Sequence, residues 1–321
     1  MKTIAKYTKP TVSKSLWQVL NSFIPYFLFW GAMIYSINIS YWLTLALVIP
    51  TAGFMVRIFI IFHDCGHGSF FKSQKANHIL GVISGILVFT PYFQWRHAHA
   101  VHHGTSGDLD SRGVGDVWTM TVEEYNSASA LQKLAYRAYR HPLVMIVIGP
   151  LFMFLVVHRF TSRGKTKQRW SVYSTNAVLL AIATGMSLLI GFKAYVLMQL
   201  PVLMIAGSAG VWLFYVQHQF EGVYWERHES WDFMEAAIQG SSFYKLPKVL
   251  QWFSGNIGFH HVHHLSSRIP NYNLEKCHVE NKELQRIKPV TLFSSFKSLR
   301  YRLYDESGRK LVGFRGAKTA S

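Results

Sequence analysis

From Ser15 to Val56 the chain carries no charged residue, a run of 42 positions. Hydrocarbon leaves no water for backbone N–H and C=O groups, so a segment of this kind that enters a bilayer must be helical. Two spans of ~20 residues each account for the run. Polar Ser36–Ser40 is the natural hairpin between them, giving spans at 16–36 and 41–62. Trp17, Tyr26 and Trp30 toward one end, with Tyr35 and Tyr41 toward the other, fit interfacial anchoring in part. Arg57, the lone charge in the second span, reads as snorkelling to the headgroups, with a place beside a functional site as the alternative. Composition agrees: 15% of residues are charged, against about 25% in soluble domains.

Just beyond the second span begins the first of three histidine windows. They are His63-Asp64-Cys65-Gly66-His67, His97-Ala98-His99-Ala100-Val101-His102-His103, and His260-His261-Val262-His263-His264. Ten of the 16 histidines lie in them. Residues three and four apart share a helical face. His63 and His67, then His99, His102 and His103, then His260, His263 and His264 are therefore each expected to converge. Neutral imidazole binds zinc, copper, iron or nickel. Eight such ligands exceed what one tetrahedral zinc takes and suit two metals of higher coordination with open positions. Neither HExxH nor the Glu-x-x-His pairs of carboxylate di-iron bundles occur, so an all-imidazole site for two Fe ions is the sharper reading. Three unrelated histidine-rich surface helices are the bland alternative, and two identical HxxHH patterns beside apolar segments speak against it. His97 and His261 fall off the shared face.

The windows constrain topology. The stretch 79–93 is apolar, but windows flank it and must share a site. It is short and contains Pro91, so it reads as interfacial or re-entrant. An even number of spans must separate the second and third windows. Of three apolar candidates, 142–157 is the shortest and precedes Arg159, Arg163, Lys165, Lys167 and Arg169. Were it to span, that cluster would lie outside, against the positive-inside rule. The expected architecture is an all-α integral membrane protein in one domain, residues 1–321. Four transmembrane helices form two hairpins (16–36 and 41–62, 171–191 and 194–217), interfacial helices cover 79–93 and 142–157, and a cytosolic helical cap of 97–141 and 221–321 carries the metals.

Several polar residues near the windows are candidates to orient ligands or hold a water. Asp64 lies within the first. Asp108, Asp110 and Asp116 sit in a glycine-rich loop after the second, where they could accept the spare imidazole N–H; a solvated turn is the competing reading. Asp232 follows the fourth span. Asn256 stands four residues before His260, on the same face if that segment is helical, with a simple helix cap as its alternative. His261 completes the set.

The net charge of +17 points to anionic lipid or an acidic protein, and the apolar spans argue against nucleic acid. Lys2, Lys6, Lys9 and Lys14 make a basic leader without a cleavage site. Two cysteines, Cys65 and Cys277, give no disulfide framework and suit a reducing compartment.

The windows HDCGH, HAVHH and HHVHH around apolar spans resemble the membrane fatty-acid desaturase family. The wording FHDCGHGSFF, TSGDLDSRGVGDVWTMTVEEY, GSSFYKLPK and GNIGFHHVHHLS is most similar to acyl-lipid desaturases of Bacillus-type bacteria, Δ5 enzymes in particular. The resemblance covers residues 15 to 310. It implies a ninth metal ligand at His218, at the end of the fourth span. It also implies O2 as co-substrate, conversion of membrane phospholipid acyl chains to cis-unsaturated ones, and a site on the cytoplasmic side of the bacterial cell membrane. No HPGG haem motif, GxGxxG unit or Fe–S cysteine set is present, so a separate electron donor, ferredoxin or flavodoxin, is expected. Desaturation at another position such as Δ12, hydroxylation or ketolation are the near rivals. A histidine-rich metal transporter is the distant one, disfavoured because its histidines would lie mid-bilayer.

Overall fold

The computed structural model describes residues 4–161 and 164–316; Lys2 and Arg163 lie outside the described residues. In chain order the helices are α1 (Val12–Ser36), α2 (Tyr41–His67), α3 (Gln74–Leu87), α4 (Tyr92–Thr105), α5 (Val122–Ser127), α6 (Ala130–Tyr139), α7 (Gly149–Leu155), α8 (Thr166–Ile190), α9 (Phe192–His218), α10 (Phe233–Gln239), α11 (Lys248–Phe253), α12 (His260–Leu265), α13 (Asn271–Glu280) and α14 (Leu292–Ser295). Five short strands complete it: β1 (Met120–Thr121), β2 (Tyr244–Lys245), β3 (Val290–Thr291), β4 (Leu303–Asp305) and β5 (Lys310–Val312).

Four of these helices, α1, α2, α8 and α9, are long and apolar enough to cross a membrane. They are the expected hairpins. In the first, Ser36 and Thr44 satisfy each other across the turn, their hydroxyls 2.8 Å apart. Helix α2 is the central one. At ~1.5 Å per residue its 27 residues reach about 40 Å, some 10 Å beyond a ~30 Å hydrocarbon core. His63 and His67 lie in the last turn of this helix. Met33 of α1, Val48, Ile58, Ile61 and Phe62 of α2, and Met198 and Val202 of α9 form the buried interior. Outward faces keep large apolar side chains exposed, among them Leu20, Ile24 and Phe27 of α1 and Leu180 and Leu188 of α8, as lipid contact requires. Gly68 ends α2 in the left-handed region at φ 68°, with its N–H on the Cys65 carbonyl.

The two apolar segments expected to stay out of the membrane are bent pairs. Helices α3 and α4 meet at 102°, across a break where Phe89 has φ 57° and Pro91 precedes α4. Segment 74–105 therefore turns back and returns its histidines to the end it left. Residues 130–139 and 144–159 meet at 64°, and Pro150 and Phe154 of α7 pack on Gly207 of α9.

The cap is helical, with small strand pairings that the sequence reading did not include. β4 pairs parallel with β1 and antiparallel with β5, and β2 pairs parallel with β3. They pin the C-terminal tail to earlier segments. Helices α5 and α6 are separate, because Ser129 starts a new capping box. The basic leader is docked: Lys6 and Tyr7 both donate to Glu280 of α13, at 2.9 and 2.5 Å.

Candidate metal centre

Four structural supports converge at one end of the spans. The last turn of α2 brings His63 and His67, and α4 brings His99, His102 and His103. Helix α12, a turn and a half long, brings His260, His263 and His264, and His218 is the last residue of α9. Five of these form one group: His63, His67, His99, His103 and His263 place one ring nitrogen each within 4.8 Å of all the others. His102, His218 and His264 form a second on the same criterion. His260 stands at the edge of the second, its Nε2 2.9 Å from His218 Nε2. The groups abut, with the His103 and His264 rings stacked at 4.1 Å.

Each HxxHH window does not aim at one point. Successive helical residues diverge by about 100°, so the paired histidines split. His103 and His263 serve the five-membered group; their neighbours His102 and His264 serve the other. The i, i+4 pairs His63/His67 and His99/His103 stay together, and so do His260 and His264, their rings 4.5 Å apart.

The ring nitrogens are arranged for cations. His102 donates its Nδ1–H to Asp116 at 2.5 Å, and His218 donates its Nδ1–H to the Gly240 carbonyl at 3.3 Å. Their Nε2 atoms consequently carry lone pairs, yet lie 3.2 Å apart. His103 Nε2 likewise has His99 Nε2 at 3.2 Å and His263 Nε2 at 3.0 Å. His67 Nε2 and His264 Nε2 are buried without a hydrogen-bond partner. Lone pairs crowded in a dry site repel unless a cation sits among them. Two nitrogens bound at ~2.1 Å and at right angles stand about 3.0 Å apart, against about 3.4 Å in a tetrahedron. The observed 2.9–3.2 Å spacings fall in the range of nitrogens that share one metal. Burial first, and then the neighbouring imidazoles, hold His99, His103, His260, His263 and His264 well below the ordinary histidine range. They are neutral near pH 7, as a ligand must be.

The surroundings partly differ from expectation. Asp64 does adjoin a boxed histidine, with Oδ1 3.3 Å from His63 Nδ1. Its Oδ2 accepts from the backbone and side-chain amides of Asn271 at 2.7 and 2.8 Å. Asp116 alone of the three loop acids holds an imidazole of the histidine windows. Asp108 instead accepts from Ser111 and His228, and Asp110 from Arg227 and the His228 backbone. Asp232 caps α10 through the Glu235 N–H at 2.9 Å. His261 faces away: its Nε2 lies 3.1 Å from His278 Nδ1, and burial followed by that neighbour pushes it down to about 3. Asn256 is not on the α12 face, because the helix begins at His260. It sits in a left-handed turn at φ 60°, taking a bond from Gln251 and giving one to the Asn271 carbonyl. Arg57 is not splayed outward along the span as snorkelling expects. It is 6% exposed, lying over the Trp252 ring at 3.8 Å. His97 is exposed, and Cys65 and Cys277 are buried free thiols.

Trp95 is the site residue the sequence reading missed. Its ring stacks on His99 at 4.4 Å and fills the space left by Gly66, where a Cβ would come within 2.9 Å of it. The signal was present, since Trp95 and His99 are an i, i+4 pair. Phe214, one turn before His218, lies 5.1 Å from His102 in the same way.

Losing the Asp116 carboxylate frees the His102 ring. Asp116→Ala is expected to lower metal affinity or activity by about 10–100-fold, while Asp110→Ala, which loses only Arg227 and His228, leaves both near wild type. Metal content and turnover of the two purified variants check this; equal values would leave Asp116 without a positioning role.

Residues 38–295 match the family model described as fatty acid desaturase. The chain is 50% identical over 318 residues to a Bacillus subtilis (strain 168) protein named "Fatty acid desaturase", covering 99% of this chain and 90% of that one. More distant is a Nostoc protein named "sn-1 acyl-lipid omega-3 desaturase (ferredoxin)", 28% identical over 89% of this chain and 78% of its own. A Synechocystis protein named "sn-1 oleoyl-lipid 12-desaturase" is 29% identical over 70% of this chain and 64% of its own.

Proposed function

The chain belongs to the fatty acid desaturase family, and from that premise we propose that it inserts a cis double bond into acyl chains of membrane phospholipids, using O2 and two iron ions. The observation that carries the reading is the pair of abutting all-imidazole clusters at the end of four membrane helices. His63, His67, His99, His103 and His263 would hold one iron, and His102, His218, His260 and His264 the other. Bound there, the two irons supply the activation of O2 that removes hydrogen from an unactivated methylene pair. The protein's part is positioning and shelter. Asp116 and the Gly240 carbonyl keep the Nδ1 protons of His102 and His218, which leaves Nε2 free for metal. Trp95, Phe214 and the buried helix ends exclude water. Neutral imidazoles are not consumed and leave iron positions open.

The clusters lie on the cytoplasmic side of the cell membrane in this reading. Arg159, Lys165, Lys167 and Arg169 stand at the same end as the histidines, while the α8–α9 hairpin at the other end carries only Lys193, as the positive-inside rule asks. The net charge of +17 suits an acidic electron donor, a ferredoxin or flavodoxin; a relative named for ferredoxin supports this. Placement at Δ5 rests on the wording of the motifs. Relatives named for omega-3 and 12-desaturation show that one scaffold serves several positions.

Expression in a bacterium lacking desaturases, followed by mass spectrometry of membrane acyl chains, tests the proposal. New mono-unsaturated chains, two hydrogens lighter, are the expected result, and their fragmentation locates the bond. Chains gaining oxygen would make it a hydroxylase. Unchanged lipids in cells supplied with ferredoxin and its reductase would sink the reading.

A further inference from the structure

A cavity of about 470 Å³ opens between α1, α2, α11 and α13. It is large enough for a small-molecule ligand, and its lining is basic. Lys14, Arg57 and Lys248 carry three positive charges against the single carboxylate of Glu275. That carboxylate is held by Lys248 at 2.5 Å, and Arg57 makes no ion pair with any described residue. A buried guanidinium without an acid partner is costly. Beyond the Trp252 carbonyl it has only Asn21 Oδ1, at 3.3 and 3.4 Å, so donors of its five-donor fork remain.

Two further features select the kind of anion. The mouth adjoins the outward face of α1, where Trp17, Leu20 and Ile24 are exposed by 67, 50 and 51%. An amphiphile matches this juxtaposition and a free anion does not. The inner wall is Asn271, which grips Asp64, and Asp64 adjoins His63. The cavity is thus separated from the five-histidine cluster by one layer of side chains.

We propose that this cavity binds the phosphate end of the phospholipid substrate, with Arg57, Lys14 and Lys248 on the phosphate. The assignment rests on the desaturase reading, and it makes the headgroup the fixed point from which carbons along the chain are counted toward the metals.

Binding to the full-length protein in uncharged maltoside micelles tests it, with dihexanoyl-phosphatidylglycerol as the probe and dihexanoylglycerol and inorganic phosphate as comparators. Lys14 and Lys248 are exposed, so Lys14→Gln and Lys248→Gln avoid the folding risk of changing Arg57. Each is expected to weaken probe binding about fivefold and the pair about 25-fold, while Lys193→Gln at the opposite end changes nothing. Equal affinity in the double variant would overturn the site. Dihexanoylglycerol binding as tightly would reduce it to an apolar patch, and inorganic phosphate displacing the probe at equal concentration would make it a free-anion site; both overturn the proposal. The assay needs no turnover. Lysine-dependent binding in a protein that makes no double bond would sink the desaturase reading and keep a lipid site; a double bond with lysine-independent binding would sink the site alone.

Discussion

His263→Ala is expected to halve the iron content and lower desaturation by more than about 100-fold. The residue is fully buried at the centre of the five-histidine cluster. Its ring lies 4.5 Å from that of His63 and 4.8 Å from that of His67, and its Nε2 is 3.0 Å from His103 Nε2. Changing a group that only orients a ligand already costs about 10–100-fold in metal affinity or activity, so losing the ligand itself costs more. The adjacent His264 belongs to the other cluster. On the proposed assignment the variant keeps the metal at His102, His218, His260 and His264 and loses the one shared with His63. Elemental analysis of purified protein reads this directly, with exposed His97→Ala as the control that keeps both. Two irons and full activity in His263→Ala would remove it from the ligand set.

The second large effect is on stability. Arg140 is completely buried, and its guanidinium donates to the Trp118 carbonyl, Thr119 Oγ1, the Tyr215 hydroxyl, Gln219 Oε1 and the Tyr301 carbonyl, at 3.0–3.2 Å. Those partners come from the loop before α5, from the end of α9 and the residue just past His218, and from the C-terminal tail. Arg140→Met fills the volume but strands the acceptors, each costing about 1–3 kcal/mol when left dry. Allowing for water reaching some of them, a loss of about 4 kcal/mol follows, or roughly 10 °C in melting midpoint. Thermal melts in micelles measure it; a midpoint within about 2 °C of wild type would show that the hub is dispensable. Because Gln219 follows His218 directly, metal content should fall too.

These two sites illustrate how unevenly the sequence exposes its own structure. Arg140 drew no notice as a sequence feature, being one cation in a basic, amphipathic stretch, because a five-way hub assembled from residues up to 161 positions apart has no local signature. His263 stood out at once, since its spacing to His260 and His264 is local. The Asp108, Asp110 and Asp116 loop lies between. Its composition marked it as a source of carboxylates for imidazoles, but only the fold shows that Asp116 reaches His102 while the others turn to Arg227 and His228. Asn256 and Arg57 were misplaced for a related reason. A helical face was assumed through a segment that folds as a left-handed turn, and headgroup snorkelling was assumed for a side chain that α11 encloses.

What the chain determined by itself follows from short-range physics. An uncharged run of 42 residues must satisfy its backbone internally and so forms spanning helices. Histidines four apart must share a face, and glycine at 68 must end the helix that carries the first pair. What only the tertiary structure decided is the partnership of elements far apart in sequence: the splitting of His102 from His103 and of His263 from His264 between two clusters, the joining of His218 to His260, and the layer that sets Asn271 against Asp64. A helix repeats every 3.6 residues and fixes directions around its own axis. Which neighbour each direction meets depends on how four supports pack against one another, and that is a property of the assembled molecule.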